Sequence, residues 1–234
     1  MASPALGEDR LCLTNPLAAV SDGTTNPAMP ILATWIREKD ERLFAQFFAR
    51  YPAIQVRNAR CEPADVPDAA GLLLSGGPDI GAAFHNVPIA DLSLIEDPEP
   101  ERDAWEFVAL RTAYERALPL FCICKGLQVL NLALGGTLHL DIRGHDLPEL
   151  KSRNAQPLRF ASDVRHRIGL VNSSHHQALD HVADPLEIEA WSASDGVIEQ
   201  VRIRDYPFGL GVQYHPERDL SYGPLFDDFL SRLK

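Results

Sequence analysis

The sequence predicts an α/β fold: a mostly parallel central sheet with helices on both faces, and a smaller antiparallel strand region in the C-terminal half. Short, continuously apolar runs at residues 71–75 and 119–123 suit strands that are covered on both faces, as in a parallel sheet. Helical patterns alternate with these strands in the first half of the chain, which favours βαβ units. After residue 168 several strand-like runs follow one another without helices between them.

The first third of the chain predicts two strands, a loop and a helix. Residues 10–14 form a short first strand, and a stretch rich in Pro, Asn, Gly and Thr at residues 15–30 must be a loop. A loop of that length in a compact domain is usually functional or mobile, which leaves open whether it is a lid. Aromatic and aliphatic residues within 31–50 are spaced as on one helix with an apolar face. Residues 53–56 are a candidate second strand.

The remaining elements follow from apolar spacing and from glycine and proline boundaries. Asp97 and Pro98 open a helix that carries Trp105 and Leu110. Residues 126–134 form a further helix, which the pair Gly135 and Gly136 closes as a C-cap. The later candidates are strands at 168–172, 186–190, 196–203 and 209–213, and a terminal helix at 224–233.

Composition limits the classes of protein to which this chain can belong. With 234 residues, 45% of them hydrophobic, it can bury the core of one domain, and we expect a single domain over residues 1–234. A formal net charge of −11 opposes non-specific nucleic-acid binding. We see neither a signal-peptide pattern nor an apolar stretch long enough to span a membrane, so we expect a cytoplasmic protein without a membrane partner.

The cysteines and histidines predict free thiols and no metal site. Cys12, Cys61, Cys122 and Cys124 form no Cys-x-x-Cys pair, and free thiols in a reducing compartment are the expectation. The His and Cys residues show no familiar zinc-ligand spacing. No metal or cofactor is therefore expected.

Cys124 stands where a buried strand becomes a helix, which is the position of a nucleophile in a nucleophile elbow. The sharp turn pushes the side chain out of the sheet, and the helix N-terminus stabilises anions such as a thiolate or an oxyanion. Gly126, two residues later, meets the turn's need for a small neighbour. A buried core cysteine remains an alternative on this segment alone.

Two further segments supply partners for such a nucleophile. His215, Pro216 and Glu217 end a predicted strand, and side chains two residues apart in an extended stretch share a face. The carboxylate can therefore orient the imidazole, which then serves as the base that a thiol needs. Gly76 and Gly77 follow a buried strand, where glycines allow the backbone to approach a ligand and to offer an N–H donor.

Taken in order, these three motifs resemble the signature of the class I glutamine amidotransferase superfamily, which has a flavodoxin-like fold. The closer match is to its γ-glutamyl-γ-aminobutyrate hydrolase branch, and residues 97–103, 134–138 and 171–177 support it. The resemblance runs from about Gly71 to the C-terminus, whereas residues 1–70 match only loosely.

The resemblance implies a cysteine hydrolase that cleaves a γ-glutamyl amide. Cys124 corresponds to the nucleophile, His215 to the acid/base and Glu217 to its orienting carboxylate. The backbone N–H groups of Gly77 and Lys125 correspond to the oxyanion hole. Contacts to the γ-glutamyl moiety are implied for Gln128, Asn172, Ser173, Ser174 and His176.

The resemblance does not select the amine half of the substrate. Candidates are γ-glutamyl-γ-aminobutyrate, γ-glutamyl polyamine derivatives and short γ-glutamyl peptides. The stretch between Asp141 and Val171, which helps to build the pocket wall in this branch, is shorter here than usual. Two other functions stay open: a glutaminase subunit that supplies ammonia to a synthetase partner, and a non-catalytic binding module.

Side chains without an assigned role are treated as peripheral. His139, His145, His166 and His181 are expected on the surface or in loops, and Lys125 is expected to act through its backbone. A homodimer is compatible with the sequence, which does not determine the oligomeric state.

Overall fold

The computed structural model describes residues 29–234. The strand predicted at residues 10–14 lies outside the described residues, as does the loop predicted at 15–30 apart from its last two residues. Within the described range, strands and helices alternate up to residue 133, and short strands dominate the rest.

Nine of the described strands form one sheet, in the order β2-β1-β3-β4-β11-β10-β9-β6-β7. Strands β2, β1, β3, β4 and β11 are parallel neighbours, and every pairing beyond β11 is antiparallel. The pair β5 and β8 makes a separate two-stranded sheet. The strands are β1 (Ile31–Trp35), β2 (Gln55–Asn58), β3 (Gly71–Leu74), β4 (Leu120–Ile123), β5 (Leu138–His139), β6 (Gln156–Phe160), β7 (Leu170–Val171), β8 (Ala178–Leu179), β9 (Leu186–Ser192), β10 (Ile198–Ile203) and β11 (Gly209–Val212).

Helices cover both faces of the parallel part of the sheet, as predicted. They are α1 (Glu38–Phe48), α2 (Pro100–Glu115), α3 (Lys125–Ala133), α4 (Pro148–Lys151) and α5 (Gly223–Leu230). Side chains alternate along β3, so Leu72 and Leu74 join one core with α2 and α3. Leu73 joins the other core, to which α1 and α5 contribute Phe44 and Phe226. Every residue of β3, β4 and β11 is buried, which explains their continuous apolar sequences.

The single helix predicted over residues 31–50 is wrong in its first part. Residues 31–35 form β1, which lies between β2 and β3 in the sheet. Arg37 is extended, with φ −67° and ψ 148°, and α1 begins only at Glu38. A short apolar run of this kind fits a buried strand and a buried helix equally well by periodicity.

The C-terminal strands were predicted more accurately. β9, β10 and β11 confirm the runs at 186–190, 196–203 and 209–213. The run at 168–172 corresponds to the two-residue strand β7. Strand β6 was not predicted, because only one of its five residues is buried and its sequence lacks a continuous apolar run.

The structure also bears on the predicted state of the cysteines and on membrane-spanning helices. Cys122 and Cys124 are free thiols, whereas Cys61 is disulfide-bonded, which corrects the expectation of a free thiol at that residue. Within residues 29–234, none of the helices combines the length and the apolar character that a membrane span requires.

Candidate active site

Cys124 lies at the sharp turn between β4 and α3, as a nucleophile elbow requires. Its backbone has φ 51° and ψ −107°, a conformation that residues other than glycine rarely adopt. The Cys124 N–H donates to the Val212 carbonyl at 2.7 Å, and its carbonyl accepts from the Gln128 N–H at 3.2 Å. These hydrogen bonds, one to β11 and one to α3, hold the strained residue at the carboxyl edge of the sheet.

Gly126 allows α3 to start directly above β3. A Cβ atom at this position would lie 2.4 Å from the carbonyl oxygen of Leu74 and 2.7 Å from its Cβ. Because neither atom belongs to the flexible end of a side chain, any larger residue must push the helix and the strand apart. The first turn of α3, which follows Cys124, therefore depends on glycine here.

His215 and Glu217 arrive at the same edge from the end of β11. The His215 Nδ1 atom lies 2.6 Å from Glu217 Oε1, and both residues are buried. The sequence predicted that the two side chains lie on an extended stretch. Instead, Pro216 begins a single 3₁₀ turn over Pro216–Arg218. The turn nevertheless directs the carboxylate at the imidazole, which fixes the ring orientation.

The electrostatics favour a charged imidazole beside the thiol. Burial acts to lower the pKa of His215, but the charges of Glu217 and Cys124 and their hydrogen bonds to the ring raise it to about 10. For Glu217, burial acts to raise the pKa, yet His215 outweighs it and lowers the pKa of this carboxyl. An imidazolium next to a thiol favours the thiolate, which is the nucleophilic form.

Asn172 braces His215 from the neighbouring segment. Its Nδ2 donates to the His215 carbonyl at 2.8 Å, and its Oδ1 accepts from the His215 N–H at 2.9 Å. Asn172 Nδ2 also lies 3.4 Å from Tyr222 Oη. Asn172 was predicted as a substrate contact, but in the structure its buried amide holds the backbone of the base.

The turn after β3 lies against both His215 and the first residue of α3. A Cβ atom at Gly76 would lie 2.6 Å from His215 Cε1, and one at Gly77 would lie 2.9 Å from Lys125 Cδ. Gly77 and Lys125, the two predicted oxyanion donors, are therefore close neighbours. The absence of side chains at residues 76 and 77 is what lets the imidazole and α3 approach this turn.

A buried group of four charged residues, three from α2 and one from α3, supports this turn. Arg102 Nη2 donates to the Ser75 carbonyl at 2.9 Å and to the next carbonyl at 3.1 Å, and its Nε donates to Glu106 at 2.8 Å. Lys125 Nζ pairs with Asp103 at 2.5 Å and lies 3.8 Å from Glu106. The Lys125 side chain is 1% exposed, so its ammonium group belongs to this buried network rather than to the solvent-exposed surface.

From the sequence, Lys125 was expected to act through its backbone, and no role was predicted for its side chain. The residue types and the i, i+1, i+4 spacing of Arg102, Asp103 and Glu106 on one helix were the available signal. Two positive and two negative buried groups form one neutral network, which satisfies buried charges that would otherwise be costly.

The other predicted substrate contacts lie in different surroundings. Gln128 is buried and its Nε2 donates to the Gln177 carbonyl at 3.2 Å. The Ser173 hydroxyl donates to the His145 carbonyl at 2.8 Å, while Ser174 is partly exposed. His176 is half-buried, with its Nε2 3.0 Å from Asp79 Oδ1, so it pairs with a residue just after the Gly77 turn.

Among the histidines without a predicted role, one is not peripheral. His139 and His181 are exposed, and His166 pairs with Asp228 at 2.9 Å in a partly buried position. His145 lies in a loop, as one of the two expected positions, but it is only 2% exposed.

Comparison with known proteins places these residues within one matched region. Residues 62–217, more than half of the chain, match the family described as Peptidase C26, and Cys124, His215 and Glu217 fall inside that range. A Mycobacterium tuberculosis protein, named provisionally as a glutamine amidotransferase, is 40% identical over 167 residues, covering 66% of this chain and 53% of its own length.

A second relative and a solved structure extend the comparison. The γ-glutamyl-γ-aminobutyrate hydrolase of Escherichia coli O157:H7 is 36% identical over 145 residues, covering 53% of this chain and 56% of its own. The chain thus spans about half the length of these two curated relatives. The crystal structure of a glutamine amido transferase from Methylobacillus flagellatus superposes with a TM-score of 0.55 at 16% identity, covering 86% of this chain and 75% of that one. This likeness concerns the fold.

Proposed function

The chain belongs to the Peptidase C26 family of class I glutamine amidotransferase-like proteins, and from this premise we propose that it is a cysteine hydrolase of γ-glutamyl amides. Cys124 is the proposed nucleophile, His215 the acid/base and Glu217 the carboxylate that orients it. γ-Glutamyl-γ-aminobutyrate is the first substrate to test, because a hydrolase of that compound is among the relatives.

The proposed reaction has two halves that share one acyl-enzyme. The Cys124 thiolate attacks the γ-carbonyl carbon, so a C–S bond forms while the carbonyl electrons move to oxygen. The Gly77 and Lys125 N–H groups donate to this oxyanion, and removing one such donor typically costs about 3–4 kcal/mol of transition-state stabilisation. As the carbonyl reforms, the C–N bond breaks and the His215 imidazolium gives its proton to the leaving amine.

Water completes the cycle. Neutral His215 takes a proton from a water molecule, whose oxygen attacks the thioester carbon. The C–S bond then breaks, releasing glutamate with a free γ-carboxylate and restoring the thiolate–imidazolium pair. Glu217 keeps the imidazole in one orientation through both halves.

One observation carries the proposal: the 2.6 Å contact between His215 and Glu217 lies beside a cysteine that is held at φ 51° between a strand and a helix. A buried core cysteine needs neither the strained turn nor a charged imidazole. Cys122, two residues earlier, shows the difference, because burial raises the pKa of its thiol and it faces the core under α2 and α3.

A glutaminase that supplies ammonia to a synthetase partner is the second candidate. The M. tuberculosis relative, whose provisional name is that of a glutamine amidotransferase, favours it. The two candidates differ in the amine that leaves: ammonia from glutamine, or a substituted amine from a γ-glutamyl amide. Turnover of the purified chain alone on γ-glutamyl-γ-aminobutyrate, faster than on glutamine, supports the hydrolase.

The test compares Cys124→Ala with Cys122→Ala on a panel of γ-glutamyl amides. We expect Cys124→Ala to abolish turnover and Cys122→Ala to keep it, since both remove a buried thiol but only the first removes the nucleophile. Acid-quenched wild-type protein should carry one γ-glutamyl group on Cys124 by mass spectrometry. Turnover by folded Cys124→Ala near the wild-type rate would refute the assignment.

A further inference from the structure

Three buried side chains outside the active site converge on one point. His145 comes from the segment after β5, His175 from the segment after β7, and Glu199 from β10. They are 2%, 5% and 0% exposed. One possible ligand atom from each lies within 4.8 Å of the other two.

The outer nitrogens of both imidazoles already have acceptors. His145 Nε2 lies 2.9 Å from Asp195 Oδ2, and His175 Nδ1 lies 3.0 Å from the Gln177 carbonyl. If each outer nitrogen carries the proton of a neutral ring, the inner nitrogens are His145 Nδ1 and His175 Nε2, each with a lone pair towards Glu199. Imidazoles fixed in this way by a carboxylate and a carbonyl are typical of metal-bound histidines.

The distances at the centre fit metal ligands better than hydrogen bonds. His145 Nδ1 and His175 Nε2 lie 3.3 Å and 3.5 Å from Glu199 Oε1. A charged N–H to carboxylate hydrogen bond would measure about 2.7–2.9 Å. Ligand atoms at about 2.0–2.1 Å from a tetrahedral zinc ion lie about 3.3–3.4 Å apart, which agrees with both separations.

Two atoms of the cluster lack a hydrogen-bond partner among the described residues. They are His175 Nε2 and Glu199 Oε2, and both are fully buried. Glu199 Oε1 is held by Gln156 Nε2 at 2.7 Å, which orients the carboxylate. Buried polar atoms are almost always satisfied, and a cation bound by Glu199 and His175 Nε2 would neutralise this buried carboxylate and use the lone pair of the nitrogen.

We propose that His145 Nδ1, His175 Nε2 and Glu199 bind a structural zinc ion. A water molecule, or the Ser173 hydroxyl 3.3 Å from His145 Nδ1, is placed to complete four ligands. The near-complete burial of all three side chains argues for a structural rather than a catalytic metal. The sequence pattern did not indicate this cluster, because its three residues come from distant segments without a recognisable spacing.

The ion would connect three segments next to the active site. His175 lies three residues after Asn172, which braces the backbone of His215. The Glu199 carbonyl accepts from the Gln213 N–H at 2.9 Å, two residues before His215. Zinc at this point would therefore fix the wall behind the proposed γ-glutamyl site without touching the substrate.

The test measures zinc on the tag-free chain carrying Cys124→Ala, because an intact thiol–imidazole pair could itself bind zinc. The protein is stripped with a chelator, reloaded with zinc, separated from free metal and assayed by mass spectrometry of the element. We expect one zinc per chain. Cobalt in its place should give the intense visible absorption of a tetrahedral site.

Variants then locate the ion. Glu199→Gln and His175→Gln should lower zinc affinity at least about 10-fold, whereas His166→Gln, which alters a His–Asp pair elsewhere, should not. Less than a tenth of a zinc per chain in the Cys124→Ala protein would overturn the proposal. The three side chains would then share a proton instead of a metal ion. Undiminished zinc affinity in folded Glu199→Gln would also overturn it. Should both cluster variants fail to fold, the zinc content and the cobalt spectrum of the Cys124→Ala protein alone decide.

Discussion

The backbone strain at Cys124 is a property of one residue that its neighbours maintain. A non-glycine residue in such a conformation costs about 1–3 kcal/mol, and it persists only where the surroundings hold it. Here the Val212 carbonyl and the Gln128 N–H bind the two sides of the residue. The result is a thiol presented at the sheet edge next to an imidazolium, rather than one packed in the core as Cys122 is.

Replacing Glu217 with Gln should move the alkaline limb of the pH–rate profile. Glu217 raises the pKa of His215, which is about 10, so removing the charge lowers that pKa. The charged imidazole, and with it kcat/KM, is then lost at a lower pH than in wild type. We also expect kcat/KM at neutral pH to fall about 10²–10⁴-fold. The measurement is kcat/KM from pH 5 to 10.5.

Glu187→Gln is the matched control, because it removes the same charge from a half-exposed strand position that pairs with Arg202. Its profile should coincide with wild type. An alkaline limb that stays in place in Glu217→Gln would show that this carboxylate does not set the protonation of the base.

At the level of single residues, the proximity of His215 and Glu217 and the position of Cys124 between a strand and a helix could be predicted, because each residue type has a chemistry that its motif requires. The buried partners of Lys125 could not, since Asp103 and Glu106 lie on another helix and a lysine in a sequence is ordinarily an exposed residue. Likewise the amide of Asn172 could have served either the substrate or the His215 backbone. In the structure the amide is hydrogen-bonded to the His215 backbone, which only the packing of the two segments shows.

Two helices position the site at the level of elements. Helix α3 starts immediately after the nucleophile and packs on β3, while α2 inserts Arg102 under the turn that follows β3. The proposed nucleophile, oxyanion donors and base thus lie on different elements whose spacing is set by close backbone contacts. Displacing one element by a fraction of an ångström should impair the reaction more than it impairs folding.

Gly126→Ala should test this coupling. Its Cβ would overlap the Leu74 backbone, and overpacking of this kind costs about 1–3 kcal/mol. Because α3 must move, we expect kcat/KM to fall at least about 10-fold even where the protein is folded. Urea unfolding gives the free-energy change, and steady-state kinetics give the loss of activity.

Gly169→Ala provides the comparison, since a Cβ there has no heavy atom within 4 Å. Its unfolding free energy should stay within about 0.5 kcal/mol of wild type, or rise slightly, with kcat/KM unchanged. Full activity in Gly126→Ala would mean that α3 can shift without moving the thiol.

Among the strands, the most buried ones were the easiest to predict from the sequence. Strands β3, β4 and β11 are covered on both faces, so their sequences are apolar throughout, and a glycine turn follows β3 while Cys124 follows β4. Strand β1 is equally buried at its centre, but only two residues separate it from an amphipathic helix. The apolar spacing of the strand and the helix therefore looked like that of one helix. Strand β6 is stabilised by its neighbours in the sheet rather than by an apolar sequence.

At the scale of the whole molecule, the two ends of the parallel strands form two different edges of the sheet. The carboxyl ends of β3, β4 and β11 carry the proposed chemistry, as expected for ligand sites in open α/β sheets. At the opposite edge, β11 begins at Gly209 beside Leu120, where turns connect the strands to α2 and β10. Tyr206 belongs to this second edge. Its ring stacks on Tyr114 at 5.5 Å, and its hydroxyl donates to the carbonyls of Leu118 and Ala113 at 2.7 and 3.1 Å.

Tyr206→Phe should therefore separate stability from activity. The substitution keeps the stacked ring but leaves two carbonyls without their hydroxyl donor, so we expect a loss of about 1–2 kcal/mol in unfolding free energy. We expect kcat/KM on the accepted γ-glutamyl amide to stay within about twofold, because the change lies at the edge opposite Cys124. Tyr114→Phe, which keeps the stack and both hydrogen bonds of Tyr206, should alter neither quantity. Activity is measured well below the unfolding transition. If kcat/KM of Tyr206→Phe then falls in proportion to its loss of unfolding free energy, the two edges are not independent. The sheet would then have to transmit strain from its amino-terminal turns to the nucleophile.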